Sequence, residues 1–385
     1  MPAEKESIRV AMVGQRFMGR AHSNALHQVG RFFDGPLVPI LDTVAGRDRG
    51  ALDAFAERWG WQRTTTRWRS IAADPRIELV DLVTPNHLHA EQAVAMLEAN
   101  KHVACEKPLA GTLADARAMR DAAARAKGVR TFVWFHYRRC PALATAWRLV
   151  REGRIGRVYH VRATYLQSWG GADTPMSWRF RKKTAGSGAL GDLGSHLVDL
   201  ARFLTGDEVR EVRGAVLANF IQRRPSEDGR GMGRSNVDDA ASFLCVMRSG
   251  ATASFEATRV AGPHHNAHSI ELNGEEGSLR FEFDRMNDLL VHDASLDVGS
   301  AGWRRIQCTH AGAHPYADAW WPDGHGLGYE HGFVNMLADI LAELGGGRAR
   351  LPLPDFEDAY RTQRVLEAAT ISAREGCAVP LSEVR

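Results

Sequence analysis

Ile8-Arg9-Val10-Ala11-Met12-Val13 is a short, mostly apolar run that stops at Gly14. Gly14-Gln15-Arg16-Phe17-Met18-Gly19 follows, and then Ala21, Ala25, Leu26 and Val29 at helical spacing. Strand, glycine turn and helix in succession is the context a dinucleotide fingerprint requires. In such a turn the first glycine makes the bend, the middle one lets a pyrophosphate approach the backbone, and the last lets helix and strand pack closely. Here Arg16 stands at the middle position. Either the pyrophosphate sits further out and meets Arg16, with Phe17 and Met18 beside it, or dinucleotide binding is impaired. Alone, the segment also describes any strand, turn and helix with two glycines.

The pattern repeats downstream. An apolar strand over 37–45 ends at Ala45-Gly46-Arg47-Asp48, and a helix with Leu52, Phe55, Ala56 and Trp59 on one face follows. An acidic residue that would hold a ribose 2′-hydroxyl is expected at this strand end. Gly46 and Arg47 instead leave room and a cation for a 2′-phosphate, which leans toward NADP, while Asp48 keeps NAD open. A strand over 79–84 ends in Thr84-Pro85-Asn86-His87-Leu88-His89, with a helix over 89–98. Thr84, Asn86 and His89 suit a ligand at a strand's carboxyl end, though Thr84 and Asn86 equally suit helix capping. A strand over 102–107 delivers Cys105-Glu106-Lys107-Pro108, in which Pro108 restricts Lys107 to an extended backbone. A helix over 113–127 and a strand over 131–135 complete five strand–helix units, the grammar of a parallel, doubly wound sheet.

After residue 135 the pattern changes. Alternating runs at 158–166, 209–216, 237–247, 252–259, 269–273 and 278–283, joined by turns such as Gly274-Glu275-Glu276-Gly277, predict a mainly antiparallel sheet. The expected organisation is an α/β Rossmann domain over 1–135, then an α+β domain over 136–385. Within the second lies Leu190-Gly191-Asp192-Leu193-Gly194-Ser195-His196, continuing to Leu204, read as one amphipathic helix. Its leucines share one face; Asp192, Ser195, His196 and Asp199 share the other. A carboxylate four residues from an imidazole raises its pKa and orients it, which suits a general base. The alternative is a solvated polar face. Gly186, Gly188, Gly191 and Gly194 would admit a ligand or another backbone. A tryptophan- and glycine-rich segment, 314–329, reads as a lid, a sugar-facing surface or a subunit contact.

Bulk properties exclude other classes. The 385 residues are 44% hydrophobic and 25% charged, as in globular chains. A net charge of +3 argues against nucleic-acid or membrane partners. Five scattered cysteines show neither a CxxC nor a metal-ligand spacing, which predicts free thiols. The polar residues 1–9 carry no apolar run before a cleavage site, so a cytoplasmic protein is expected.

Taken together, Ala21-His22 behind the glycine turn, Thr84 to His89, Glu106-Lys107-Pro108 and Gly191 to His196 resemble the glucose–fructose oxidoreductase/inositol dehydrogenase (Gfo/Idh/MocA) family in joint order across essentially the whole chain. The resemblance implies that Lys107, Asp192 and His196 match the family's catalytic residues. It implies that Trp178 and Arg179 match a cofactor-touching pair, with Gly14, Glu106 and Lys107 also on the cofactor side. It places Tyr137 and Tyr165 among substrate contacts and implies a homo-oligomer formed through the second sheet. Ser177-Trp178-Arg179, the glycine-rich lead into Asp192 and Trp320-Trp321 look closest to members acting on anhydrosugars and glycosides. The expected activity is NAD(P)-dependent oxidation of a sugar or polyol hydroxyl, with no metal. Two alternatives stand: an NAD-dependent glycoside hydrolase working by transient oxidation, and a non-catalytic dinucleotide-binding protein, supported only by Arg16.

Overall fold

The computed structural model describes residues 6–384. By its internal contacts the chain forms two compact units: residues up to Arg139 with Gly328–Tyr360, and Cys140–Leu327 with the residues from Arg361 onward. This differs from a division at 135/136. The helix Tyr329–Leu344 belongs to the first unit, where it packs on the helix Phe17–Phe32. The reason is physical: a parallel sheet needs cover on both faces, and Phe333, Leu337 and Ile340 supply part of it from a distant stretch of chain.

The first unit's strands are β1 (Glu6–Val13), β2 (Leu37–Ala45), β3 (Arg63–Thr65), β4 (Leu79–Leu82), β5 (His102–Cys105) and β6 (Thr131–Val133). They form one sheet of order β3-β2-β1-β4-β5-β6, parallel throughout. Chain order reverses between β1 and β4, and in such sheets ligands gather at the strands' carboxyl ends beside that point. Val10, Ala11 and Met12 are almost wholly inaccessible, as residues covered on both faces must be. Strands β4, β5 and β6 end earlier than the apolar runs suggest, so Thr84, Glu106, Lys107 and Trp134 all lie beyond strand ends.

The second unit's strands are β7 (Val158–Leu166), β8 (Val209–Ala218), β9 (Arg223–Pro225), β10 (Met232–Arg234), β11 (Ala240–Met247), β12 (Thr252–Thr258), β13 (Ala267–Gly274), β14 (Gly277–Glu282), β15 (Asp288–Asp293), β16 (Arg304–Gln307) and β17 (Val379–Pro380). Strands β9 and β10 form a separate hairpin; the others build a sheet of order β16-β15-β14-β13-β7-β12-β11-β8-β17. Every neighbouring pair is antiparallel except β7 and β12. Alternation sorts its faces: along β11, Ala241, Phe243, Cys245 and Met247 are buried while Leu244 is exposed.

The expected single helix over 190–204 is two pieces. A π-helical turn, Leu190–Gly194, leads into an α-helix, Ser195–Thr205, which stops at Gly206 in the left-handed region. Residues 195–204 are all buried, so the solvated polar face is corrected. Arg202 shows what replaces solvent: its guanidinium donates to both Glu208 carboxylate oxygens at 2.8 Å and to Thr362 Oγ1 at 3.0 Å.

Candidate active site

The glycine turn after β1 is built for close approach. Gly14 has φ +119°, and a Cβ there would lie 2.7 Å from the Val83 carbonyl oxygen. A Cβ on Gly19 would lie 3.0 Å from the Gly14 carbonyl oxygen, so helix and strand meet at backbone distance. The helix Phe17–Phe32 begins at an exposed Arg16 that supplies no side-chain cap, which leaves first-turn N–H groups available to an anion. Phe17 is half exposed, its ring 6.4 Å from Tyr329 and nearly parallel to it; Met18 is partly buried. These features fit the pyrophosphate of a dinucleotide.

At the end of β2, the space Gly46 leaves is taken within the protein. A Cβ there would overlap Gln15 Oε1, which leans over the glycine. Arg47 is exposed, and Asp48 accepts the Ala51 N–H at 2.9 Å as the cap of the helix Arg49–Trp59. The acidic residue nearest this strand end thus serves a helix cap.

Beyond β4, Thr84 Oγ1 donates to Gln92 Oε1 at 2.7 Å, and the buried Asn86 opens a short 3-10 turn. His89 is fully buried and ties two loops together. Its Nε2 lies 2.8 Å from the Thr84 carbonyl, and its Nδ1 lies 3.2 Å from those of Pro108 and Leu109. Burial holds its pKa below the ordinary value, against the pull of those carbonyls and Glu106. Beyond β5, the buried Glu106 accepts the Lys107 backbone N–H at 3.1 Å; Lys107 is half buried and its bond to Pro108 is cis. Tyr137 is buried, its ring 4.4 Å from His136 and 6.3 Å from Tyr329.

In the second unit, the Asp192 carboxylate accepts from Arg259 Nη2 at 2.8 Å. Arg259 is itself buried, lies 5.1 Å over the Trp169 ring and reaches the Arg179 carbonyl at 3.4 Å. The glycine lead into Asp192 is bound from below: Asp238 accepts the Gly188 N–H at 2.6 Å and the Leu190 N–H at 2.7 Å. A Cβ on Gly188 would overlap the Asp238 backbone, so this glycine admits another backbone and not a ligand. His196 is buried, 5.9 Å from the Tyr165 ring and 6.3 Å from His268. Tyr165 donates to Asn266 at 2.9 Å and stacks on His268 at 4.5 Å. Arg179 folds over Trp178 at 4.5 Å. Tyr165, Asp192, His196, Trp178 and Arg179 thus belong to the second unit, and Lys107, Tyr137 and the glycine turn to the first.

Residues outside the sequence reading of the site include Arg259, Asp238 and His268, and Asp81, which reaches Glu106 beside Lys107 through the His22 ring. Asp81 had a visible signal, because a carboxylate inside the apolar run Leu79-Val80-Asp81-Leu82 needs a buried partner. The others are brought in by strand register, which local patterns do not encode.

This architecture recurs in known proteins. Residues 8–135 match the model of an oxidoreductase family with an NAD-binding Rossmann fold, and residues 143–280 match that of the GFO/IDH/MocA C-terminal domain. The chain belongs to the Gfo/Idh/MocA oxidoreductase family. It is 37% identical to levoglucosan dehydrogenase of Pseudarthrobacter phenanthrenivorans, over 98% of this chain and 99% of that protein. A solved levoglucosan dehydrogenase in complex with NADH and levoglucosan superposes with a TM-score of 0.92 at 39% identity, covering 97% of this chain and 99% of the other. An oxidoreductase domain protein from Kribbella flavida superposes with a TM-score of 0.94 at 47% identity, covering 98% and 99%. The chain is thus an oxidoreductase with an NAD-binding Rossmann domain. Among the described residues no helix is long and apolar enough to cross a membrane.

Proposed function

We propose that this enzyme oxidises a secondary hydroxyl of a sugar, anhydrosugar, glycoside or polyol. The observation carrying this is full-length similarity to levoglucosan dehydrogenase in both directions, and we assign Lys107, Asp192 and His196 to the reaction from their motifs in the sequence. A bound nicotinamide dinucleotide supplies the hydride acceptor. Gly14, the N–H groups opening the helix Phe17–Phe32, Phe17, Met18 and the loops at Thr84 and Asn86 hold it, with Glu106, Trp178 and Arg179 as further contacts and His89 locking those loops from behind. His196 takes the hydroxyl proton, with Asp192, held by Arg259, setting its orientation. Lys107 donates a hydrogen bond to the oxygen as negative charge develops, the place where electrostatic help counts most. Tyr137 and Tyr165 bound the sugar. Exposed Arg47 supports NADP; the relatives' NADH complexes support NAD. Five free cysteines support a reducing, cytoplasmic setting, and exposed Val216 and Leu244 on the open sheet face support a homo-oligomer.

The test is one assay of purified protein with NAD and NADP against levoglucosan, monosaccharides, inositols and nitrophenyl glycosides. Reduced cofactor with a sugar or inositol is expected, and Lys107→Ala and His196→Ala should each lower turnover about 100-fold or more. Nitrophenol release without net reduction would replace the reading with the redox hydrolase. Near-wild-type turnover in either variant would remove that residue from the site.

A further inference from the structure

Under the Lys107 strand end lies a buried chain of polar groups spanning four elements. Trp134, just beyond β6, donates its Nε1–H to Asp81 Oδ1 at 2.9 Å. The other Asp81 oxygen lies 2.7 Å from His22 Nδ1, and His22 Nε2 lies 3.0 Å from Glu106 Oε1. The remaining Glu106 oxygen accepts the Lys107 backbone N–H at 3.1 Å. His22, Asp81, Glu106 and Trp134 are all at most 5% exposed. The His22 ring is boxed by Trp134 at 4.3 Å and Phe333 at 5.3 Å.

Two buried carboxylates around one histidine are a poor way to gain stability, because desolvating the ions offsets their attraction. The geometry makes sense as a clamp. With both ring nitrogens donating, the His22 ring holds both carboxylates at once. The ring faces titratable groups from β4 (Asp81) and from the end of β5 (Glu106, with the Cys105 thiol beside it). The helix Tyr329–Leu344 presents Phe333, Leu337 and Ile340 on this side.

We propose that His22 is a positioning residue for Lys107: bridging Asp81 and Glu106, it holds the Glu106 carboxylate on the Lys107 N–H and fixes the direction in which the lysine leaves the strand end. This rests on the reading of Lys107 as the donor to the developing alkoxide. His22 and Lys107 are far apart in sequence, and only the parallel register of β1, β4 and β5 brings them to one place.

Three measurements test it. In histidine-labelled protein, the His22 nitrogen signals, assigned by their loss in His22→Gln, should be those of an imidazolium at pH 7.5, and Glu106→Gln should lower their titration midpoint. In His22→Gln, hydrogen exchange at the Lys107 amide should speed up at least tenfold, with peptides of the second unit unchanged. In turnover, His22→Gln and Glu106→Gln should each lose at least tenfold in kcat, and the double variant should be no worse than the poorer single one. A neutral His22 at pH 7.5, unchanged Lys107 exchange, or losses that multiply in the double variant would each overturn the proposal. The first two readouts need no substrate. If the wild-type protein oxidises no sugar, the activity reading fails while these still decide the clamp, and Glu106→Gln serves if His22→Gln does not fold.

Discussion

His22 and His268 are both fully buried, yet their surroundings drive them in opposite directions. Burial disfavours the charged form of each. Around His22 that penalty is outweighed by Asp81 at 2.7 Å and Glu106 at 3.0 Å, and its pKa is raised to about 9. Around His268 stand three rings: Tyr165 stacked at 4.5 Å, Phe281 edge-on at 6.0 Å and His196 at 6.3 Å. Burial alone pushes its pKa down to about 3. Each histidine adjoins a residue assigned to the reaction: His22 acts on the strand end that carries Lys107, and His268 borders His196. The first unit therefore supports its site with a fixed cation between carboxylates. The second uses a neutral aromatic stack and assigns its charge to Arg259 on Asp192.

That division can be broken most directly at Arg259. Its guanidinium is 2% exposed, against 25% for the Asp192 side chain. Removing one member of a buried pair typically costs about 3 kcal/mol or more, because the other charge is left uncompensated. Arg259→Met should lower the urea midpoint accordingly and reduce turnover at least about tenfold, since Asp192 loses its anchor. Arg259→Lys should recover only part of either loss, because an ammonium lacks the fork that serves both Asp192 and the Arg179 carbonyl. A fully stable Arg259→Met protein would show that the pair is incidental.

The next effect is the alkaline limb of stability. His22 has a folded-state pKa near 9 against 6.5 unfolded, so the folded state binds the extra proton. Its contribution is fully present below pH 6.5 and is lost as pH rises through about 9. Between pH 7 and pH 10 this amounts to roughly 2 to 3 kcal/mol. Urea unfolding at the two pH values should show the drop in wild-type protein, and His22→Gln should remove that part of it. An equal drop in both proteins would assign the limb to other groups.

Much of this was legible in the sequence, and the boundary of legibility is physical. The parallel strands could be read because strands covered on both faces are continuous apolar runs: residues 37–45 and the helix over 89–98 come out with the same ends in the structure. Lys107 could be located because Glu106-Lys107-Pro108 ends such a run. The Asp81–His22–Glu106 chain could not be, since it depends on which strands lie side by side. The strand β16 (Arg304–Gln307) carries two arginines and no alternation, so it gave no signal. At Asp192 the reading assumed α-helical spacing to His196. The structure has a π-helical turn, Leu190–Gly194, leading into the α-helix, and Asp192 accepts from Arg259, a partner that strand register supplies.

The acid limb is the smaller effect and the sharper test of the contrast. His268 has a folded-state pKa near 3 against 6.5 unfolded, so here the unfolded chain binds the extra proton. Stability is therefore lost as pH falls below 6.5, by roughly 2 kcal/mol between pH 7 and pH 5. His89 and His314, also held low in the folded state, and carboxylates such as Asp42 and Glu208 add to acid sensitivity with the same sign, so wild-type protein alone cannot isolate His268. His268→Phe can. It keeps a ring to stack on Tyr165 and cannot titrate, so it should reduce the loss between pH 7 and pH 5 by roughly 2 kcal/mol while leaving the alkaline limb intact. His22→Gln should do the reverse. If both substitutions altered the same limb, the two buried histidines would not be opposites, and the difference between the regions would lie elsewhere than in their neighbouring carboxylates.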